Sequence, residues 1–139
     1  MKADSATEIA VKAVLEKFAE SYAKHDLKSA MSIIAPDSDV VFYGTSADEK
    51  SIGPKEIKAQ FERDWSHIEE PSLEYKWTSI SAAGNVAWVA IDAVLKAKIE
   101  GEKQEFPSRV TKVLEKREGK WFIVQAHFSF PDQSQVFEE

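Results

Sequence analysis

The hydrophobic positions of this chain repeat with a helical period in its first half. One stripe has the spacing of an amphipathic helix and consists of Val11, Val14, Leu15, Phe18 and Tyr22. Ser5 and Glu8 have the spacing of a capping box, which predicts that the helix begins with them. The chain therefore opens with a helix that buries one face.

Two more helices are predicted before residue 72. Asp26 is a natural N-cap for a short helix that ends at Pro36. Pro54 suits the first turn of a third helix, which Pro71 is expected to close. Its buried stripe is Ile57, Phe61, Trp65 and Ile68. Between these two helices, Asp39–Gly44 predicts a short strand, and residues 46–53 predict a loop.

The second half of the chain has the composition of β-strands. Four β-rich runs are separated by short segments that contain glycine, as tight hairpins require. They are Leu73–Ala82, Val86–Ile99, Gln104–Lys116 and Trp121–Phe130. Helices followed by an antiparallel meander predict an α+β fold in a single domain, residues 1–139.

The last strand has an unusual pattern on its two faces. One face is wholly apolar and carries Phe122, Val124, Ala126, Phe128 and Phe130. The other begins with two apolar residues and then becomes polar: Trp121, Ile123, Gln125, His127 and Ser129. We expect a ligand pocket on the mixed face and a partner subunit on the apolar face.

A register for the sheet follows from the glycine-containing turns. A short turn that pairs Lys116 with Lys120 would place Arg109 opposite His127. The same register would place Thr111 opposite Gln125 and Val113 opposite Ile123. A hairpin that closes between Ile99 and Glu102 would place Asp92 opposite Arg109.

This register groups six candidate binding residues on one face of the sheet, and Tyr43 and Trp65 are added to them as residues of the pocket wall. The predicted ligand-binding side chains are Tyr43, Trp65, Asp92, Arg109, Thr111, Gln125, His127 and Ser129. The opposite face is apolar enough to need a cover, and we expect a homodimer through it. Its members are Val89, Ile91, Ala93, Val110, Leu114, Val124, Phe128 and Phe130.

Composition and charge restrict the function further. The 139 residues carry 24 acidic and 18 basic side chains, a net charge of −6, which argues against nucleic-acid binding. There is no cysteine, no signal peptide and no apolar run of membrane-spanning length, so we expect a cytoplasmic protein without membrane contact. The histidines His25, His67 and His127 lack metal-ligand spacing, and no glycine-rich phosphate loop is present. No metal or cofactor is predicted.

Each candidate residue has a structural alternative. His127 has a natural pKa suited to proton transfer, but the alternative is a buried histidine that only holds Ser129 or a backbone carbonyl. Arg109 with Asp92 could bind a polar or anionic ligand or could form a closed ion pair. Trp65 could pack in the core alone. His127 and Asp92 are therefore weak candidates for catalysis.

Several segments together resemble a known family. They are "KHDLKSAMSIIAPDSDVVFYGT", "GPKEIKAQFERDW", "VAWV" and "RVTKVLEKREGKWFIVQAHFSF". Over roughly residues 7–131 the chain resembles the nuclear transport factor 2-like superfamily, and within it the SnoaL-like, ketosteroid isomerase-like proteins. It is also similar to the association domain of calcium/calmodulin-dependent kinases. The resemblance implies a cone-shaped, cystatin-like fold, with three N-terminal helices packed on a strongly curved antiparallel sheet around a pocket, and dimerisation through the outer sheet face.

The resemblance does not carry an activity, because the superfamily hosts isomerases, cyclases, hydrolases, dehydratases and scaffolds. Ketosteroid isomerases use a tyrosine, a carboxylate base and a protonated aspartic acid. Aligned on "HDLKSA", these positions fall at Phe18, at or near Tyr43, and near Arg109. Two classes remain: a dimer that binds a small, partly apolar molecule, or an isomerase, hydrolase or dehydratase in which His127 or Asp92 moves a proton beside Arg109.

Overall fold

The computed structural model of the protein describes residues 1–137 and confirms the α+β fold; the last two residues of the predicted domain 1–139 lie outside the described residues. The helices are α1 (Ser5–Ala23), α2 (Leu27–Ser32) and α3 (Gly53–His67). The strands are β1 (Val41–Tyr43), β2 (Lys50–Ile52), β3 (Glu69–Ala83), β4 (Val86–Ile99), β5 (Glu102–Arg117) and β6 (Lys120–Ser129). A short 3₁₀ helix, Gln133–Gln135, follows β6.

The six strands form one curved sheet in the order β2-β1-β6-β5-β4-β3. The meander β3 to β6 is antiparallel, as predicted, whereas β1 runs parallel to β6. The prediction of a loop over residues 46–53 is wrong in part, because Lys50–Ile52 pairs with β1 as β2. Such a three-residue strand carries almost no periodic signal of its own.

The ends of the helices agree with the sequence in part. Asp26 caps α2 as predicted, with its Oδ1 accepting a hydrogen bond from the Ser29 amide at 3.1 Å. The capping box predicted for α1 is wrong: Asp4 is the N-cap and accepts from the Thr7 amide at 2.8 Å. Pro71 does not close α3, which ends at His67, but lies at an irregularity of the edge strand β3, where its missing N–H is tolerated.

The register between β5 and β6 differs from the prediction for two reasons. The turn contains two residues, so Arg117, not Lys116, pairs with Lys120. Glu118 and Gly119 adopt φ values of 49° and 80°, the left-handed conformation of a type I′ hairpin turn. A β-bulge then leaves Val124 as the extra residue, because Leu114 pairs with Ile123 and Val113 with Gln125.

The bulge explains the mixed pattern of the last strand. Before it, Trp121 and Ile123 are buried toward the helices; after it, Ala126 is buried and Gln125 and His127 are exposed. An extra residue reverses which parity faces inward. The residues of β6 that face inward therefore have odd numbers before the bulge and even numbers after it. The strand as a whole has one inner face and one outer face.

The apolar face that we expected a second subunit to cover packs inside this chain. Val89, Ile91, Val110 and Leu114 are each 2% exposed or less and belong to the same core as Leu15 of α1. That assignment of the dimer interface is wrong, because the helices of the chain itself already cover this face. Homodimerisation through the outer face stays a prediction. None of the helices within residues 1–137 is both long and apolar enough to cross a membrane.

Candidate functional site

A cavity of about 350 Å³ opens between the helices and the inner face of the sheet. This volume is in the range of small-molecule sites. Its wall is mainly aromatic and aliphatic and includes Phe18, Tyr22, Phe42, Ile57, Phe61, Ile68, Leu73, Leu95, Ile99, Phe106, Phe128 and Phe130. A molecule inside would contact mostly apolar surface.

A chain of polar side chains interrupts this apolar wall. The Tyr22 hydroxyl donates to Asp64 Oδ2 at 3.1 Å, and Gln60 Nε2 donates to Asp64 Oδ1 at 2.7 Å. The same Gln60 nitrogen donates to Glu49 Oε2 at 2.7 Å. All four residues border the cavity. They connect the interior of α1 and α3 with the loop that precedes β2.

Burial favours the neutral forms of two ionisable groups among these hydrogen-bonded side chains, Asp64 and Tyr22. Burial, with a contribution from the nearby Glu49 carboxylate, raises the pKa of Asp64 above its usual value. Burial and the Asp64 carboxyl also raise the pKa of Tyr22, so the phenol stays protonated and remains a hydrogen-bond donor. Asp64 is therefore a partly buried carboxyl group with a raised pKa that borders the cavity.

The mouth of the cavity is polar and exposed. Glu49 Oε1 accepts from the Ser46 amide at 2.7 Å and thereby orders the loop between β1 and β2. Arg63 on α3 forms an exposed ion pair with Asp48 of this loop at 2.9 Å. These contacts attach the loop to α3 at the entrance of the cavity.

Lys112 is buried on the inner face of β5. Its side chain is among the least exposed of the molecule, with a residue exposure of 1%. Within residues 1–137 its Nζ has no hydrogen-bond partner; it lies 3.3 Å from the centroid of the Phe18 ring and 5.4 Å from that of Phe128. Burial lowers the pKa of this amine from 10.5 to about 7. Both rings are part of the cavity wall.

Of the predicted ligand-binding residues, Tyr43 borders the cavity. It is 44% exposed, and its ring lies 5.4 Å from that of His127, its neighbour across the β1–β6 pair. Trp65 lies behind the wall: its Nε1 donates to the Tyr22 carbonyl at 3.0 Å and its ring packs on Phe61 at 5.4 Å. Trp65 thus packs against the core, as the alternative for it proposed, and a ligand-binding role for it stays a prediction.

The other six predicted residues lie on the outer face of the sheet, away from the cavity. They are Asp92, Arg109, Thr111, Gln125, His127 and Ser129. Asp92 does pair with Arg109, as predicted, but Arg109 pairs with Ser129, and His127 pairs with Thr111. The physical reason is the two-residue turn combined with the bulge, which together displace the pairing by two positions. A ligand-binding role for these residues stays a prediction, but such a site would lie on the outer face and not in the cavity.

Sequence reasoning missed three residues of the cavity region. Lys112 lies between Val110 and Leu114 on an inward-facing stripe of period two, which was a visible signal. Asp64 follows Phe61 by three residues, on the side of α3 that the buried stripe occupies. Tyr22 was recognised only as a core position. Across residues 1–137, His, Asp and Glu side chains form no cluster of three or more suited to a metal ion.

Comparison with known proteins identifies the family. Residues 11–133 match the model of the SnoaL-like domain, and the chain belongs to this family. No curated protein sequence matches it significantly. The resemblance found in the sequence is thereby confirmed.

Solved structures share the fold at low sequence identity. A nuclear transport factor 2-like superfamily protein from Salmonella enterica serovar Typhimurium is 21% identical, with a TM-score of 0.81 and 96% and 95% of the two chains covered. A candidate dehydratase of the same family from Streptomyces avermitilis is 14% identical, with a TM-score of 0.85 and 93% and 99% coverage. A protein with a cystatin-like fold from Caulobacter vibrioides is 14% identical, with a TM-score of 0.77 and 91% coverage of each chain.

Proposed function

We propose that the protein binds a small, mainly apolar molecule in the cavity, with a hydroxyl or carbonyl group of the ligand directed at Asp64. The observation that carries this proposal is the hydrogen-bonded pair of Asp64 and Tyr22 in a mainly apolar wall. Small-molecule sites typically combine such a wall with a few oriented polar groups. The apolar wall supplies affinity through burial, and the polar pair supplies orientation.

The test compares two ligands that differ in one group. We expect 2-naphthol to bind more tightly than 2-methylnaphthalene by about tenfold, since one hydrogen bond is worth roughly 1–1.5 kcal/mol. Isothermal titration calorimetry measures both affinities. Asp64→Ala should remove the preference, whereas Asp48→Ala, which affects only the exposed pair with Arg63, should retain it.

Two results would contradict the proposal. One is the absence of saturable binding by either compound. The other is a hydroxyl preference that survives in Asp64→Ala, because the polar group that selects the ligand would then lie elsewhere.

A second candidate function is proton-transfer catalysis at the same site, of the isomerase or dehydratase type. Its support is a carboxyl group whose pKa is raised by burial in a cavity, which suits a general acid or base. In this proposal Asp64, and not His127 or Asp92, is the group that transfers the proton. His127 and Asp92 lie on the outer face of the sheet. The test is exchange of the α-hydrogens of 2-tetralone in D₂O, which the protein should accelerate and Asp64→Asn should not. Equal rates for the two proteins would exclude this candidate.

We also propose that two copies associate through the outer face of the sheet. Support comes from Trp77 and Trp88, which are 56% and 39% exposed on this face. Exposed aromatic residues are enriched at protein interfaces. Light scattering should show a dimer that Trp88→Glu converts to a monomer; a wild-type monomer at micromolar concentration would contradict this.

A further inference from the structure

Lys112 is a buried amine that the proposed binding function does not use. Its neighbours on β5, Val110 and Leu114, are core residues. A leucine or methionine at position 112 would pack among them better than a lysine. An unpaired buried amine lowers stability, and groups of this kind are concentrated at functional sites. Its position against two cavity-wall rings, Phe18 and Phe128, suggests a role in the cavity.

We propose that Lys112 is the nucleophile of an imine-forming site for small, apolar aldehydes or ketones that enter the cavity. The inference rests on the proposed binding function and adds a covalent step to it. The carbonyl class follows from the chemistry of the group, because a desolvated amine in an apolar pocket forms Schiff bases with carbonyl compounds.

The step balances without any further reactant. The lone pair of the neutral amine attacks the carbonyl carbon, and the π electrons of the C=O bond move to oxygen. A proton moves from nitrogen to that oxygen and gives a carbinolamine. The C–O bond then breaks, the second N–H proton is transferred to the departing oxygen, and this oxygen leaves as water, so that the C=N bond of the imine replaces the C=O bond.

The protonation state supports this chemistry. With its pKa lowered by burial to about 7, roughly half of the Lys112 amine is neutral at pH 7. An exposed lysine, with a pKa near 10.4, is neutral in only about one molecule in 2,500. Ionisation alone therefore favours reaction at Lys112 over a surface lysine on the order of a thousandfold.

Access to the amine depends on one aromatic side chain. Phe128 is half-buried and borders the cavity, whereas Phe18 is 3% exposed and lies deeper. The Phe18 and Phe128 rings are stacked with centroids 6.0 Å apart, and the amine contacts both. Lys112 does not itself line the cavity, so the proposed reaction requires Phe128 to move and open a path to Nζ.

The test uses 2-naphthaldehyde with sodium cyanoborohydride at pH 7, which reduces an imine to a stable secondary amine. Intact mass and peptide mapping locate the adduct over time. We expect an adduct on Lys112 that forms at least a hundredfold faster than at any other lysine. Lys112→Met and Lys112→Arg should lack it, and excess 2-naphthalenemethanol, the non-reactive alcohol, should slow it in the wild type.

The alcohol also separates this inference from the binding proposal. If calorimetry shows that the alcohol binds, but the aldehyde labels surface lysines and not Lys112, the imine inference is overturned and the binding proposal stands. If the alcohol does not bind and Lys112 is not labelled, both are overturned. The competition in the wild type keeps the test decisive even if a variant fails to fold.

Discussion

Replacement of the buried Lys112 by methionine should stabilise the protein at neutral pH. Methionine has a similar length and no charge, so it fills the space among Phe18, Phe128 and the core without a desolvated amine. Replacing a buried charge with an apolar residue of similar volume is often stabilising. We therefore expect the free energy of unfolding to increase.

The magnitude follows from the pKa of the amine. Each pKa unit corresponds to about 1.4 kcal/mol, so the fall from 10.5 to about 7 sets an upper limit of about 5 kcal/mol on the cost of the charged form. Loss of the contact with the Phe18 ring offsets part of this, by about 1 kcal/mol or more. A gain of about 3–4 kcal/mol at pH 7 is expected.

The sign of the pH dependence is specific. The unfolded chain keeps the proton up to pH 10.5, but the folded protein releases it above about pH 7. Between these values the unfolded state binds more protons, so the wild type gains stability as the pH rises. The advantage of Lys112→Met should be largest at or below pH 7 and should disappear near pH 10.5.

Urea unfolding at several pH values between 6 and 10.5 measures this difference. Lys103→Met is the matched control, because Lys103 lies on the same strand but is exposed. The free energy of unfolding of Lys103→Met should equal that of the wild type at every pH. The reasoning would be refuted if Lys112→Met were less stable than the wild type at pH 7, or if its advantage did not change with pH.

Two further substitutions test the register and the outer face. Arg109→Ala should change the free energy of unfolding by no more than about 0.5 kcal/mol, since the side chain is exposed; a loss of several kcal/mol in urea unfolding would indicate a buried pair with Asp92. Glu118→Asn should stabilise the β5–β6 hairpin by about 0.5–1 kcal/mol, because asparagine tolerates the positive φ of 49°. No gain in thermal or urea unfolding would contradict the type I′ turn.

The parts of the fold that depend on local periodicity could be predicted from the sequence. The α1 stripe, the Asp26 cap and the pairing of Asp92 with Arg109 all follow from spacing within one element or across one short turn. The parts that were wrong depend on single-residue events. The bulge at Val124 adds one residue to the register, and the left-handed Glu118 shortens the turn by one.

The polar residues of β6 were assigned to the cavity for the same reason. Trp121 and Ile123 are apolar on the face where Gln125 and His127 are polar, and this change of parity was itself the signature of a bulge. When the strand is assumed to alternate strictly, the same pattern predicts a cavity with a polar lining. The polar groups that do border the cavity come from α1, α3 and the loop before β2. These segments meet only through tertiary packing, which periodicity alone does not describe.

The cavity region contains ionisable groups that packing alone does not require. Asp64 and Tyr22 are partly buried polar groups of a mainly apolar wall, and Lys112 is an amine among aromatic rings. A sequence selected for stability alone would place apolar residues at these positions. Their presence together, around one cavity, supports the proposal that a ligand binds in the interior of the fold and not on the outer face.

A crystal structure with 6-bromo-2-naphthol, located by the anomalous scattering of bromine, tests the proposed binding site most directly. We expect one bromine peak inside the cavity, with the ligand hydroxyl within hydrogen-bond distance of Asp64. The ligand ring should pack against Phe61 and Phe128, which line the cavity. An empty cavity at saturating ligand, or a peak on the outer face beside Arg109 and His127, would contradict the proposal.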